Sequence, residues 1–454
     1  MNFGLYIHWP FCKKKCPYCD FNSYAFEHEP EIWIKGLLQE IEDSAKIFGE
    51  HTVCTIFFGG GTPSLIEPKY IKLIIDKVKS CFLHEENLEI TLETNPSSVE
   101  SHSLDSFMEN GINRFSIGMQ SLKDENLQFL GRLHSAQEAV NILTYASKIC
   151  PNVSGDFIYA LPNDSLAIWK DDLARIIELV LRLNLKHCSL YQLTIEQNTA
   201  FEQAVHSKKF VPMNEDLQSE LYMHTYETMQ NLNWDFYEIS NAAKIIDERS
   251  DTVISNNVEV SGSAWFNQDT SINQNVPRGT NNNMIQENSI VENIRTKSPY
   301  RSKHNSIYWN YGYYLGIGAG AHSRMPLNNG RIKFNNPKNP YKWLEKALGK
   351  ASDKDKQSEI NEMFQNFEPL QRDFFNNRED FEELSPATQT QEKLLMGLRL
   401  TDGIMISQED LQFINLGSLD LLIREKFVEF DGNILKLPIK GRLKMNAILK
   451  LLFE

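Results

Sequence analysis

The sequence predicts an α/β fold: an open (βα)6 three-quarter barrel of the TIM type, followed by a small α+β winged-helix-like domain. Two observations predict the first part. Short apolar runs alternate with helix-period segments six times between residue 3 and about residue 195, and strand–helix–strand repeats imply parallel neighbours joined by crossovers. Six such units are too few to close an eight-stranded barrel, which leaves an open barrel or a doubly wound sheet; in either, ligands gather at the C-terminal ends of the strands. The third observation is the changed grammar of the last quarter, where short helices surround a hairpin signal.

The strand candidates are residues 3–8, 53–58, 88–93, 113–118, 153–159 and 186–193, each a short run of apolar residues. Amphipathic segments at 31–46, 68–82, 136–149 and 166–183 supply helices between them. After Asn241 the composition changes: residues 251–300 hold 10 Asn, 6 Ser and 3 Gln with little apolar periodicity, the mark of a solvated inserted loop. Ordered signals return at His304 and run through the Gly-rich stretch ending at His322. Near the C-terminus, Asp431-Gly432 between apolar runs signals a hairpin. The expected organisation is a partial-barrel domain over 1–240, an Asn/Ser-rich inserted loop over 241–302, a segment over 303–350 and a helical, winged-helix-like domain over 351–454.

The 454 residues are 41% hydrophobic and 23% charged, with a formal net charge of −14. A sizeable core is available, and the acidic balance excludes a general nucleic-acid binder. No stretch has the roughly 18 uninterrupted apolar residues of a membrane span, and the N-terminal residues lack the pattern of a secretory signal. A cytoplasmic protein is expected, with peripheral membrane contact and a homodimer left open.

Four of the seven cysteines, Cys54, Cys81, Cys150 and Cys188, are scattered and read as buried reduced thiols. The other three, Cys12, Cys16 and Cys19, fall within eight residues directly after the first strand. Three thiolates at this spacing suit three corners of a cubane iron–sulfur cluster and leave the fourth iron open. Structural zinc is the alternative; it needs a fourth ligand, for which His8 is the candidate. Gly59-Gly60-Gly61-Thr62 ends the second strand, where glycines admit a ligand close to the backbone. Glu93, Gln120, Arg132 and Asp156 fall at or just beyond strand ends, where a barrel gathers its site.

Together, Cys12-x3-Cys16-x2-Cys19, the Tyr6-to-Cys12 segment, the GGGTP loop, Met119-Gln-Ser121 and the Asp156-to-Pro162 segment resemble the radical S-adenosylmethionine superfamily, in its oxygen-independent coproporphyrinogen oxidase branch. The resemblance implies a 4Fe–4S cluster on Cys12, Cys16 and Cys19. It implies S-adenosylmethionine contacts from Tyr6, Tyr18, Gly60, Gly61, Thr62, Glu93, Gln120, Arg132 and Asp156. The cofactor's chemistry would then be reductive cleavage of the sulfonium to a 5′-deoxyadenosyl radical.

Within the branch, the oxidases carry CxxxCxxCxC and an N-terminal segment before the first strand; here Phe21 stands at the extra Cys position and the first strand starts at residue 3. Both features resemble the HemW subfamily, regarded as heme chaperones that deliver heme to respiratory hemoproteins. That subfamily's HNxxYW motif is matched by His304-Asn-Ser-Ile-Tyr308-Trp309. The resemblance makes heme a third cofactor, with His304 as axial ligand, aromatic residues as porphyrin faces and His322 as a second candidate ligand. An aromatic cluster packed against the barrel, with His304 merely hydrogen-bonded, is the alternative. Lys13-Lys14-Lys15 beside the cysteines is a solvated run or a dock for an acidic, low-potential electron donor. A radical coproporphyrinogen III oxidase and a zinc-stapled interaction protein stand as the competing functions.

Overall fold

The computed structural model describes residues 1–26, 29–98, 101–246, 298–327, 330–349 and 369–454. Residues 1–244 and 300–454 form one compact unit, and 245–299 a second. Most of the expected inserted loop, residues 247–297, lies outside the described residues.

Six strands stand in chain order and parallel: β1 (Asn2–Trp9), β2 (Thr52–Gly60), β3 (Leu83–Thr94), β4 (Arg114–Gln120), β5 (Val153–Tyr159) and β6 (His187–Gln192). They are the six expected from the sequence. The sheet continues on both flanks. Beside β6 come β8 (Asn241–Lys244) and β7 (Trp234–Phe236), both antiparallel additions. Beside β1 comes β9 (Tyr313–Ile317), parallel to it, then antiparallel β10 (His322–Leu327), β11 (Gly330–Asn335) and β12 (Glu379–Glu383). Among the described residues the order runs from β12 to β7 over 12 strands, and these two ends do not pair. The barrel is open.

The crossover helices start and stop on local signals. Pro30–Phe48 and Pro68–Cys81 begin with proline in the first turn, where its missing N–H costs nothing. Ala136–Ile149 carries a capping box between Ser135 and Glu138, and Leu166–Arg182 is capped by Ser165. Their apolar faces cover one side of the sheet, formed by Leu5, Ile7, Ile56, Phe58, Ile90, Leu92, Phe115, Ile117, Phe157 and Leu190, all buried. With a side-chain period of two, the intervening residues turn to the barrel interior. There they are largely polar: Tyr6, Glu93, Ser116, Asp156 and Ser189 line one cavity.

At the C-terminal end a second core forms around Leu394, Leu398, Ile404, Leu435 and Leu452, with a small sheet of Ile404–Met405, Ile434–Lys436 and Glu429–Phe430. Asp431 closes the hairpin, its Oδ1 accepting from Asn433 N at 2.8 Å and Ile434 N at 2.7 Å. Arg301 fastens this part to the barrel, donating to Asp235 and Asp402 at 2.6 Å each. No helix among the described residues is long and apolar enough to cross a membrane.

Candidate functional site

The loop after β1 is pinned from several sides. Cys12 N donates to Tyr24 O at 2.9 Å, and Tyr24 N to Pro10 O at 2.7 Å. The β2 end holds the same loop: Gly61 N donates to Trp9 O at 2.7 Å and Thr62 N to Phe11 O at 2.9 Å. Glycine is required there, because a Cβ on Gly61 would lie 2.7 Å from Phe11 O and 3.0 Å from Cys12 Sγ, while Gly60 has φ of +108°. The three cysteines are half-buried and line one cavity of about 650 Å³, within the usual range for ligand pockets. Burial pushes the Cys12 and Cys19 thiols above their ordinary pKa.

Among the described residues, no three His, Cys, Asp or Glu side chains converge on a single ion. His8 is not free to complete a zinc set: Nε2 bonds Asn22 O at 2.9 Å and Nδ1 bonds Tyr6 Oη at 3.1 Å. Three thiols on one cavity without a fourth ligand among the described residues suit a polynuclear cluster better than one zinc ion, which takes four.

The polar residues read at the strand ends converge on the same cavity. Arg132 follows the helical turn ending at Phe129; Nη1 lies 3.3 Å from Tyr18 Oη and 3.6 Å from Cys16 Sγ, and its buried Nε has no partner. Glu93 accepts from Gly60 N at 3.2 Å; burial, then the nearby Asp156 charge, pushes its pKa up to about 8. Asp156 is held by three serine hydroxyls, Ser116, Ser154 and Ser189, at 2.6, 2.8 and 2.7 Å. Gln120 ends β4 with φ of 63°, and its amide folds back to where a Cβ on Gly118 would stand. Tyr6, Tyr18, Gly60, Gly61, Thr62, Glu93, Gln120, Arg132 and Asp156 all line the cavity with Cys12, Cys16 and Cys19.

His304 lines it too, but as the packed, hydrogen-bonded residue of the alternative reading rather than as an accessible axial ligand. The helix Lys303–Trp309 packs against the early residues of β1 and β2, so His304 sits at the opposite end of the barrel from the cysteine loop. The residue is 1% exposed. Nδ1 bonds Thr55 Oγ1 at 2.7 Å, Nε2 bonds Tyr308 Oη at 2.9 Å, and the ring stacks on Phe57 at 4.9 Å. Its backbone N–H donates to Glu89 at 3.1 Å. Burial pushes its pKa down to about 3, so the ring is neutral. In this arrangement neither nitrogen is free for an iron. His322, by contrast, is exposed at the start of β10 and does not line the cavity.

Sequence reasoning missed Arg114, Ser116, Ser154, His187 and Ser189. Extending the two-residue alternation backward from Gln120 and Asp156 reaches Ser116, Arg114 and Ser154, whereas His187 and Ser189 lie on β6, where the sequence offered no starting residue.

The Radical SAM superfamily model matches residues 6–179. The heme chaperone HemW of Buchnera aphidicola subsp. Acyrthosiphon pisum is 29% identical over 415 residues, covering 90% of this chain and 93% of that protein. The heme chaperone HemW of Haemophilus influenzae is 32% identical over 354 residues, covering 75% of each. In fold, the chain is similar to the coproporphyrinogen III oxidase HemN of Escherichia coli, a radical SAM enzyme, with a TM-score of 0.68 and 17% identity over 99% of this chain and 89% of that one.

Proposed function

The chain belongs to the HemW family of the radical S-adenosylmethionine superfamily, and on that premise we propose that it holds a 4Fe–4S cluster and S-adenosylmethionine in the barrel cavity, binds heme, and passes heme to respiratory hemoproteins in the cytoplasm. The observation that carries the first half is the convergence of three thiols and nine further side chains and glycines on one cavity. The donor set fits the groups: three thiols with no fourth in the loop, a glycine cradle, and an arginine Nε left without a partner beside Cys16. Position 21, where an extra cysteine would favour the oxidase reading, is a 55% exposed phenylalanine.

When bound, cluster and S-adenosylmethionine supply one-electron reductive chemistry at a sulfonium. The protein's part is to bind, orient and exclude water. Cys12, Cys16 and Cys19 would hold the cluster as thiolates, against the burial that favours the protonated form of Cys12 and Cys19. Gly60 and Gly61 let the ligand approach the backbone, and Thr62 adds a buried hydroxyl. Asp156, fixed by its three serines, accepts from ligand hydroxyl or amino groups; Glu93, protonated near neutral pH, donates as well as accepts. Lys13–Lys15 at the rim offer an acidic electron donor a docking charge.

Heme binding rests on the family and on the aromatic residues of the cavity, Phe57, Tyr308 and Trp309. Anaerobic reconstitution tests the proposal. The expected yield is about four irons per chain, lost on Ser substitution of any of the three cysteines, together with a Soret band on hemin addition. Stoichiometric zinc without iron would defeat the cluster; an unchanged hemin spectrum would defeat heme binding.

A further inference from the structure

Arg114, the first residue of β4, is 2% exposed and lines the cavity. Its Nε has no hydrogen-bond partner, and among the described residues its guanidinium joins no ion pair. The other deeply set arginines are all engaged. Arg378 pairs with Glu40, Arg301 with Asp235 and Asp402, and Arg331 donates to Tyr311 O and Gly312 O. The two nearby acids make no hydrogen bond to Arg114: Glu93 feels its charge through space but accepts from Gly60 N, and Asp156 takes three serines.

A buried cation without an anion is strongly disfavoured, and guanidinium is the side chain best shaped to grip a carboxylate through two parallel hydrogen bonds. Its cross-ladder neighbour Thr91 has a fully buried hydroxyl that also lacks a partner, and Trp309, on the same cavity, has a partnerless indole N–H. The position lies away from the cysteine loop. Gln120, at the loop end of β4, is six residues further on, about 20 Å along an extended strand. The aromatic faces of Phe57, Tyr308 and Trp309 line the same cavity.

We infer that Arg114 anchors a carboxylate subsite at the inner end of the cavity, for a second organic ligand that carries a carboxylate on an apolar or aromatic body. The carboxylate has two available sources, a porphyrin propionate or a small organic acid. Only the first would rest on the heme reading.

The test uses the full-length, cluster-loaded protein and two matched probe pairs. Hemin is compared with hemin dimethyl ester by Soret titration, and benzoate with benzamide by tryptophan fluorescence. In at least one pair the wild type should prefer the acid at least tenfold. Arg114→Gln should abolish that preference, and Arg114→Lys should keep part of it. A preference in the hemin pair assigns the propionate; one confined to benzoate assigns a small acid. Equal binding of acid and neutral partner in both pairs overturns the subsite, as does a preference that survives in Arg114→Gln. If Arg114→Gln does not fold, the wild-type pairs and Arg114→Lys decide. Failure of both hemin and its ester to bind defeats the heme reading alone, because the benzoate pair still reports on Arg114.

Discussion

Replacing His304 with alanine should destabilise the protein before it does anything else. The imidazole is 1% exposed, stacked on Phe57, and bonded at its two nitrogens to the hydroxyls of buried Thr55 and half-buried Tyr308. Truncation leaves a cavity, worth about 2–3 kcal/mol for a side chain of this size. It also takes a partner from the Thr55 and Tyr308 hydroxyls, adding about 1–2 kcal/mol. A total near 4 kcal/mol corresponds to a fall in Tm of about 4 °C for a chain of this length. Thr55→Val, which removes only the Nδ1 partner, should cost about 1–2 kcal/mol. Thermal melts followed by circular dichroism, with hemin titrations of the same samples, distinguish the roles. A His304→Ala protein that melts like the wild type yet no longer binds hemin would refute this reasoning and restore His304 as an axial ligand.

Gly61→Ala touches no thiol covalently, but its Cβ would press on Phe11 O and Cys12 Sγ at 2.7 and 3.0 Å. Overpacking of this kind costs about 1–3 kcal/mol, and iron content after reconstitution should fall by more than half; full iron loading would contradict the cradle. Stability should fall in acid. His8, His134 and His304 have folded pKa values of about 4, 4 and 3, and His187 is also held well down, each chiefly by burial. Their stabilising contribution is complete above the unfolded value of about 6.5 and is lost as pH falls below it, by up to about 1.4 kcal/mol per pH unit for each group. Glu93, raised to about 8, works in the opposite sense with a single proton. A Tm that stays level from pH 7 to pH 5 would contradict the buried neutral histidines.

The cysteine loop and the glycine cradle were legible in the sequence because their chemistry is local: three thiols in eight residues, and GGGTP at a strand end. Glu93, Gln120 and Asp156 were legible because parallel strands bring their C-terminal ends to one opening. What stayed hidden depends on contacts between residues far apart in the chain. Strand β9 pairs with β1 across some 310 residues, Phe3 opposite Tyr313, and its Gly-rich sequence carries no strand period. That pairing carries the helix Lys303–Trp309 to the inner end of the barrel, so of the two readings of the motif the packed one is found and the axial ligand is not. Arg114 was passed over for a related reason. It opens a strand rather than ending one, and an arginine at a strand start reads as ordinary solvent-facing polarity until the sheet curves around it.

The electron paramagnetic resonance spectrum of the anaerobically reduced protein, recorded before and after S-adenosylmethionine, is the most direct test of a three-thiol cluster sharing its cavity with that ligand. Arg132, Glu93 and Asp156 line the same cavity as the cysteines, with Arg132 3.6 Å from Cys16 Sγ, so a ligand held there should shift the g-values of the reduced cluster. Asp156→Asn should weaken that response while leaving iron content unchanged. A fully loaded cluster whose spectrum is indifferent to saturating S-adenosylmethionine would contradict the shared site.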